Sequence, residues 1–220
     1  MPEPCFDVVL FDYDGVITDS ASIRVNGFLE VLADEPADVR EAIRAYTARH
    51  GGESRFVKFR HIYEHILQRP LDDGHLDDLC ARYERAVLDR AHAAPFIPGA
   101  RELVTDIHRT TDCYVVSGIP QTELRVLVDR RGLTGMFREV LGSPVHKSAL
   151  AASIVERYPR RDRIVFIGDT LTDLQAARSA GIAFLGVASA GDAGGLPPDA
   201  PKTSNLMSYR PYFAHQKEEI

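Results

Sequence analysis

Positive charge is in short supply in this chain. It holds 26 Lys and Arg against 32 Asp and Glu, a net charge of −6, so it lacks the broad basic face that general nucleic-acid binding requires. Lysine is rarer still, occurring only at positions 58, 147, 202 and 217. The three cysteines, Cys5, Cys80 and Cys113, are odd in number and scattered, with no CxxC pair. They read as reduced, buried thiols of a cytoplasmic protein. No apolar run approaches the length that spans a bilayer, so no membrane partner is expected. The opening MPEPCFD has neither the basic start nor the apolar stretch of an export signal. There is no internal repeat and no low-complexity tract. What is present is ordinary for a globular protein: 220 residues, 45% hydrophobic and 26% charged, enough for one sizeable domain or a domain with a modest insert.

The hydrophobic pattern alternates. Strand-like runs fall at Asp7–Phe11, Cys113–Val116, Phe137–Leu141, Ile164–Ile167 and Ile182–Val187. Helical stripes separate the later ones: Ala100, Leu103, Val104 and Ile107; then Leu124, Leu127 and Val128 after Pro120; then Leu150, Ile154 and Val155. This rhythm predicts an α/β fold, a doubly wound parallel sheet with helices on both faces. Residues 19–94 depart from it. They carry helical stripes (Val25, Phe28, Leu29, Leu32; Val39, Ala42, Ile43, Tyr46; Phe56, Phe59, Tyr63; Leu76, Leu79, Cys80, Tyr83, Val87) and no convincing strand. The expected organisation is therefore a core of residues 1–18 and 95–220, with a helical insert of residues 19–94 after the first strand. The stretch from Gly191 to Ile220 reads as loop-rich and carries no further signal.

Charged and polar residues collect at the strand ends. Asp12 and Asp14 follow the first, Ser117 and Gly118 the second, and Asp169 and Asp173 the fourth, while Lys147 sits near the start of the helix after the third. In a parallel sheet these ends share one edge, where ligands bind. Several carboxylates in one crevice repel one another, and a hard divalent cation resolves the repulsion; all-oxygen ligands favour Mg2+. With a lysine, a hydroxyl and backbone N–H donors beside it, such a site suits a phosphoryl group.

The sequence DYDGV, a strand ending in Ser117, then Lys147, then GDTLTD resembles the four ordered motifs of the haloacid dehalogenase (HAD) superfamily. The resemblance covers about residues 6–190, and the helical insert resembles that family's type 1 cap, as in phosphoglycolate phosphatase-like and β-phosphoglucomutase-like members. It implies a Rossmann-like core and a Mg2+-dependent phosphatase acting on a small soluble phosphomonoester. It further implies Asp12 as nucleophile forming an aspartyl-phosphate, and Asp14 as general acid and base. Mg2+ would lie between the Asp12 carboxylate, the Asp14 backbone carbonyl and Asp169, with Asp173 a ligand or its support. Ser117, Gly118 and Lys147 would hold the phosphate.

Plainer readings compete. Asp12 and Asp14 could be turn-forming acids. Asp169 and Asp173 could be a helix N-cap and an exposed first-turn acid, Ser117 a helix cap, and Lys147 a solvated residue. In the insert, HGGESRFVKFRH gathers Arg55, Lys58, Arg60 and His61 beside a Gly-Gly pair. Arg55 and Lys58 are candidates for reading an anionic or hydroxylated substrate, against an ordinary solvated basic face. His61 to His65 spells H-x-x-E-H, a zinc-protease pattern without other support, and is expected to be a polar helix face. Two alternative activities share the fold. One is a sugar phosphomutase. The other is a phosphonoacetaldehyde hydrolase-like C–P hydrolase, in which Lys58 would form a Schiff base and against which Asp14 speaks. The sequence sets no oligomeric state.

Overall fold

The computed structural model describes residues 5–188 and 195–213. Its sheet runs in the order β3-β2-β1-β4-β5-β6, with every pairing parallel. The strands are β1 (Val8–Phe11), β2 (Asp112–Pro120), β3 (Glu139–Ser143), β4 (Ile164–Gly168), β5 (Ala183–Val187) and β6 (Lys202–Thr203). β1 lies inside the sheet and is buried along its whole length, which is why VVLF reads as a continuous apolar run and not as an alternation. The alternation survives in the two layers it feeds. Val9 and Phe11 pack with α5 (Ala100–Ile107) and α6 (Gln121–Arg130), while Val8 and Leu10 pack with α7 (Lys147–Val155) and α8 (Leu171–Ala180). The sheet is thus covered on both faces, as its sequence rhythm predicts.

Between β1 and α5 the chain forms α1 (Ala21–Val31), α2 (Ala37–Arg49), α3 (Arg55–His61), a π-helical turn (Ile62–Leu67) and α4 (Asp73–Ala93). These helices build a hydrophobic cluster of their own, in which the rings of Phe28, Phe59 and Tyr83 meet at 4.5–6.1 Å. Departure and return run side by side. Asp19 N–H donates to Pro95 O (2.9 Å) and Ile97 N–H to Ile17 O (3.1 Å), so the two connecting segments are paired.

Strand ends differ from expectation by a residue or two, with two larger departures. β2 continues past Val116 to Pro120, because an irregularity lets pairing resume at Pro120 opposite Ser143; Ser117 and Gly118 therefore lie within the strand and not after it. The C-terminal stretch is more ordered than its composition indicates. β6 pairs with β5, and a 3-10 turn over Leu206–Phe213 buries Leu206, Tyr209 and Phe213 against the α5 side of the sheet. Residues 189–194 and 214–220, with Lys217, lie outside the described residues.

The remaining expectations for the insert concern its polar residues. In the H-x-x-E-H stretch the Glu64 and His65 side chains are exposed and the His61 ring stacks on Tyr46. Among the described residues no metal-binding group forms there. Cys80 and Cys113 are buried thiols as expected, whereas Cys5 is partly exposed.

Candidate active site

β1 delivers Asp12 to the carboxyl edge of the sheet, and the Asp12 N–H completes the ladder to Ile167 O (3.0 Å). The chain then turns sharply. Tyr13 O accepts from Ile17 N–H (2.9 Å) and Thr18 N–H (3.1 Å), and Gly15 adopts φ +78°. Glycine is required there on two grounds: the left-handed backbone, and the absence of room, since a β-carbon would stand 2.0 Å from Asp169 Oδ2. That close approach presses the first loop against the end of β4.

Four of the sequence-predicted residues meet in one buried cluster. Lys147, the first residue of α7, places its Nζ 2.9 Å from Asp12 Oδ2 and 2.6 Å from Asp173 Oδ1, with its side chain 1% exposed. Asp173 also accepts through its second oxygen from the N–H (3.0 Å) and hydroxyl (2.7 Å) of Thr170. It closes a capping box on α8 while holding the lysine. The plainer reading of an Asp169 cap and an exposed Asp173 therefore fails: the N-cap is Thr170, and Asp173 is buried. Lys147 is not a solvated residue. Burial opposes its charge, but Asp12 and Asp173 move its pKa upward.

Oxygens of Asp12, Asp169 and Asp173 lie within 4.8 Å of one another. Asp169 Oδ1 is buried and has no hydrogen-bond partner. Burial drives Asp12 up to about 7, with Lys147 pulling it down and Asp173 pushing it up. Burial and then the neighbouring Asp173 and Asp12 drive Asp169 well above the usual carboxylate range. Hard oxygen donors, one left without a partner, with ionisation opposed by burial and mutual repulsion, fit a bound Mg2+. Asp169 Oδ1 is free for it; Asp12 carries one contact on each oxygen, Tyr13 N–H on Oδ1 and Lys147 on Oδ2, fewer than Asp173, whose three contacts suit a supporting role.

The Asp14 carboxylate is not part of this trio. It accepts from Ser20 Oγ (2.5 Å) and Arg24 Nε (3.0 Å). Arg24 reaches on to Glu123 Oε1 (2.6 Å), and Glu123 Oε2 receives Arg55 Nη2 (2.5 Å), which also lies 3.4 Å from Glu84. Glu123 comes from α6 under the sheet and both arginines come from the helical insert, so a buried carboxylate ties the two parts together. Burial opposes the Arg24 charge, while Asp14, Tyr83 and Glu123 hold it protonated, and its pKa rises.

Arg55 and Lys58 both line the cavity beside this cluster, as do Ser117 and Gly118. Arg55 is largely committed to Glu123. Ser117 Oγ is 3.4 Å from Ile119 N–H and caps no helix. Gly118 allows the insert to come down on the core: a β-carbon there would be 2.5 Å from Gly52 O. Arg24, Ser20, Thr170 and Glu123 are the site residues that sequence reasoning missed. Glu123 gave no signal, since a first-turn acid on an amphipathic helix looks solvated.

The haloacid dehalogenase-like hydrolase model matches residues 6–181. The chain belongs to this family. The chain is 25% identical over 185 residues to the phosphoglycolate phosphatase of Pseudomonas fluorescens, a match covering 80% of this chain and 66% of that protein, just under two thirds of its length. The fold is that of a hydrolase from Pseudomonas syringae (TM-score 0.75, 18% identity, 95% of this chain and 100% of that one). It is also that of the magnesium-bound HAD hydrolase YfnB from Bacillus subtilis (TM-score 0.67, 17% identity, 95% and 99%). No described helix is long and apolar enough to cross a membrane.

Proposed function

We propose that this HAD-family hydrolase is a Mg2+-dependent phosphatase of small, soluble phosphomonoesters, with phosphoglycolate, the substrate in its relatives' names, a leading candidate. The observation that carries the reading is the buried convergence of Asp12, Lys147 and Asp169, with the Asp169 oxygen lacking a partner. Asp12, Asp169 and the Asp14 backbone carbonyl would hold the ion, which would neutralise developing charge on the phosphoryl oxygens.

The chain's own groups supply the remainder. An Asp12 carboxylate oxygen attacks phosphorus as the bond from phosphorus to the leaving oxygen breaks, giving an aspartyl-phosphate. Asp14 protonates the departing oxygen and then takes a proton from the water that attacks the same phosphorus, releasing phosphate and restoring Asp12. Lys147 stabilises the charge that builds on the transferring group, and Ser117 and the backbone at Gly118 hold it. The helices of residues 19–94 act as a cap over a core of residues 1–18 and 95–220, moving about the paired segments near Thr18 and Phe96. Asp14 is held by Ser20 and Arg24, at the start of the first cap helix, so its placement depends on where the cap sits. Reduced thiols and the fold suit a cytoplasmic enzyme.

One observation favours a second reading, the C–P hydrolase. Lys58 is buried in the cavity, and burial lowers its pKa to about 8, as an amine nucleophile needs. Asp14 favours the phosphatase, since acid–base work on a leaving oxygen uses a second carboxylate. The test is phosphate release from a panel of metabolite phosphomonoesters. The expected result is release that EDTA cuts by about 100-fold or more and Mg2+ restores. Release indifferent to EDTA, or interconversion of sugar phosphates without net release, would overturn it. So would a borohydride-trapped adduct on Lys58 with an aldehyde-bearing phosphonate.

A further inference from the structure

β2 and β3 separate near the active site. They pair as far as Val116 opposite Leu141 and meet again only at Pro120 opposite Ser143. The chain thus takes four steps along β2 for two along β3, and the surplus arches out of the ladder. Ser117, Gly118 and Ile119 form this arch, and all three line the cavity that Asp12 and Asp169 share. A segment that has left its ladder has lost the bonds that would hold it still. Here a side chain ties its far foot. Gln121, the first residue of α6, donates from Nε2 to Val140 O (2.6 Å) and accepts at Oε1 from Gly142 N–H (2.8 Å). Its amide takes from β3 the acceptor and the donor that a neighbouring peptide group would take. Both bonds go to the strand and neither to its own helix, which starts at Pro120 without a side-chain cap. The fit is close. A β-carbon on Gly142 would collide with Ile119 O and lie 3.0 Å from the Gln121 backbone, so glycine lets the arch and the helix start rest on β3.

We infer that Gln121 is a positioning residue: by clamping the end of the arch to β3 it fixes Ser117 and Gly118 where they meet the transferring phosphoryl group. This role rests on the phosphatase reading, which sets those two residues against the phosphate, and deepens it. Gln121 does not line the cavity and acts only through the arch. The benefit falls on the transition state. An untied arch still offers its hydroxyl and N–H groups to a bound phosphate, but it must be ordered at every turnover, and that cost is felt most by the state that uses the donors most.

Gln121→Met keeps the length of the side chain and removes both bonds. The measurement is the affinity of the Mg2+-loaded protein for orthovanadate, which takes the five-coordinate shape of the transition state, against its affinity for inorganic phosphate, which does not. Vanadate binding is expected to weaken about tenfold or more and phosphate binding by less than about threefold, with kcat falling about tenfold and KM within about threefold of wild type. A merely structural role would lower the melting temperature and leave the vanadate-to-phosphate ratio standing, which would overturn the assignment. Gly142→Ala is the second variant. It keeps Gln121 but presses on Ile119 O, so it should lower the same ratio, and it carries the test should the methionine variant fail to fold. An unchanged ratio there would also overturn the assignment.

Amide hydrogen exchange of the metal-free proteins separates this role from the phosphatase reading. The Gly118 and Ile119 amides should exchange about tenfold or more faster in Gln121→Met than in the wild type, while those of β1 keep their rates. If the wild type releases no phosphate from any ester, the phosphatase reading falls, and exchange alone decides the tie: faster exchange upholds it and equal exchange overturns it. If the wild type releases phosphate and the variant matches it in both exchange and vanadate-to-phosphate ratio, the phosphatase stands and the role of Gln121 falls.

Discussion

Asp12→Asn protein should keep its fold and release phosphate at least about 10,000-fold more slowly than the wild type. The amide has nearly the shape of the carboxylate and can still accept from Tyr13 N–H, as Asp12 Oδ1 does at 2.7 Å. Lys147 retains Asp173 at 2.6 Å, so the substitution leaves the buried ammonium paired. Folding should even be eased, because burial opposes the charge on Asp12 and drives its pKa up to about 7. What the amide cannot do is attack phosphorus as an anion. Phosphate release and thermal melting on the same preparation check both halves. Turnover within about tenfold of wild type would remove Asp12 as the nucleophile.

Glu123→Ala should be among the most destabilising single substitutions in the chain, although Glu123 is absent from the motifs. It accepts Arg24 and Arg55 at 2.6 and 2.5 Å in a site where its side chain is 2% exposed. Removing it leaves Arg24 with Asp14 alone, and Arg55 with Glu84 at 3.4 Å, on a side chain that is 47% exposed. Truncating one member of a buried ion pair costs about 3–5 kcal/mol because the remaining charge is stranded. In a protein of this size that lowers the melting temperature by roughly 10 °C. Glu123→Gln, which keeps an acceptor for one guanidinium but sets an NH2 group against the other and lacks the charge, should fall between wild type and the Ala variant. The Ala variant should also lose turnover, since Arg24 is the link from Glu123 to Asp14. A melting temperature within about 1 °C of wild type would show that the network contributes little.

These two residues mark what the sequence disclosed and what it did not. Asp12 was legible because it ends a run of four buried apolar residues and has a second acid two positions on. Asp169, Asp173 and Lys147 were legible because each stands at a strand end or just beyond one, and a parallel sheet brings such ends to one edge. The helical insert was legible from its stripes, which became one cluster around Phe28, Phe59 and Tyr83. Glu123 and Arg24 were not, because they are 99 positions apart and each taken alone looks solvated. Their meaning comes from the docking of the insert on the core, a long-range event with no local signature. The same holds for Arg55. Its placement beside the cavity was anticipated, but its commitment to Glu123 was not. Leu206, Tyr209 and Phe213 were missed for a simpler reason: their 3-10 turn is short, and its spacing is read with no flanking helix.

The most direct test is calorimetric titration of the metal-free protein with Mg2+ in the presence of inorganic phosphate. One ion should bind per chain, and Asp169→Asn, which removes the charge beside the buried oxygen without a partner, should weaken it about tenfold or more. Equal affinity in the two proteins, or no binding to either, would contradict the assignment of this acidic cluster as a magnesium and phosphate site.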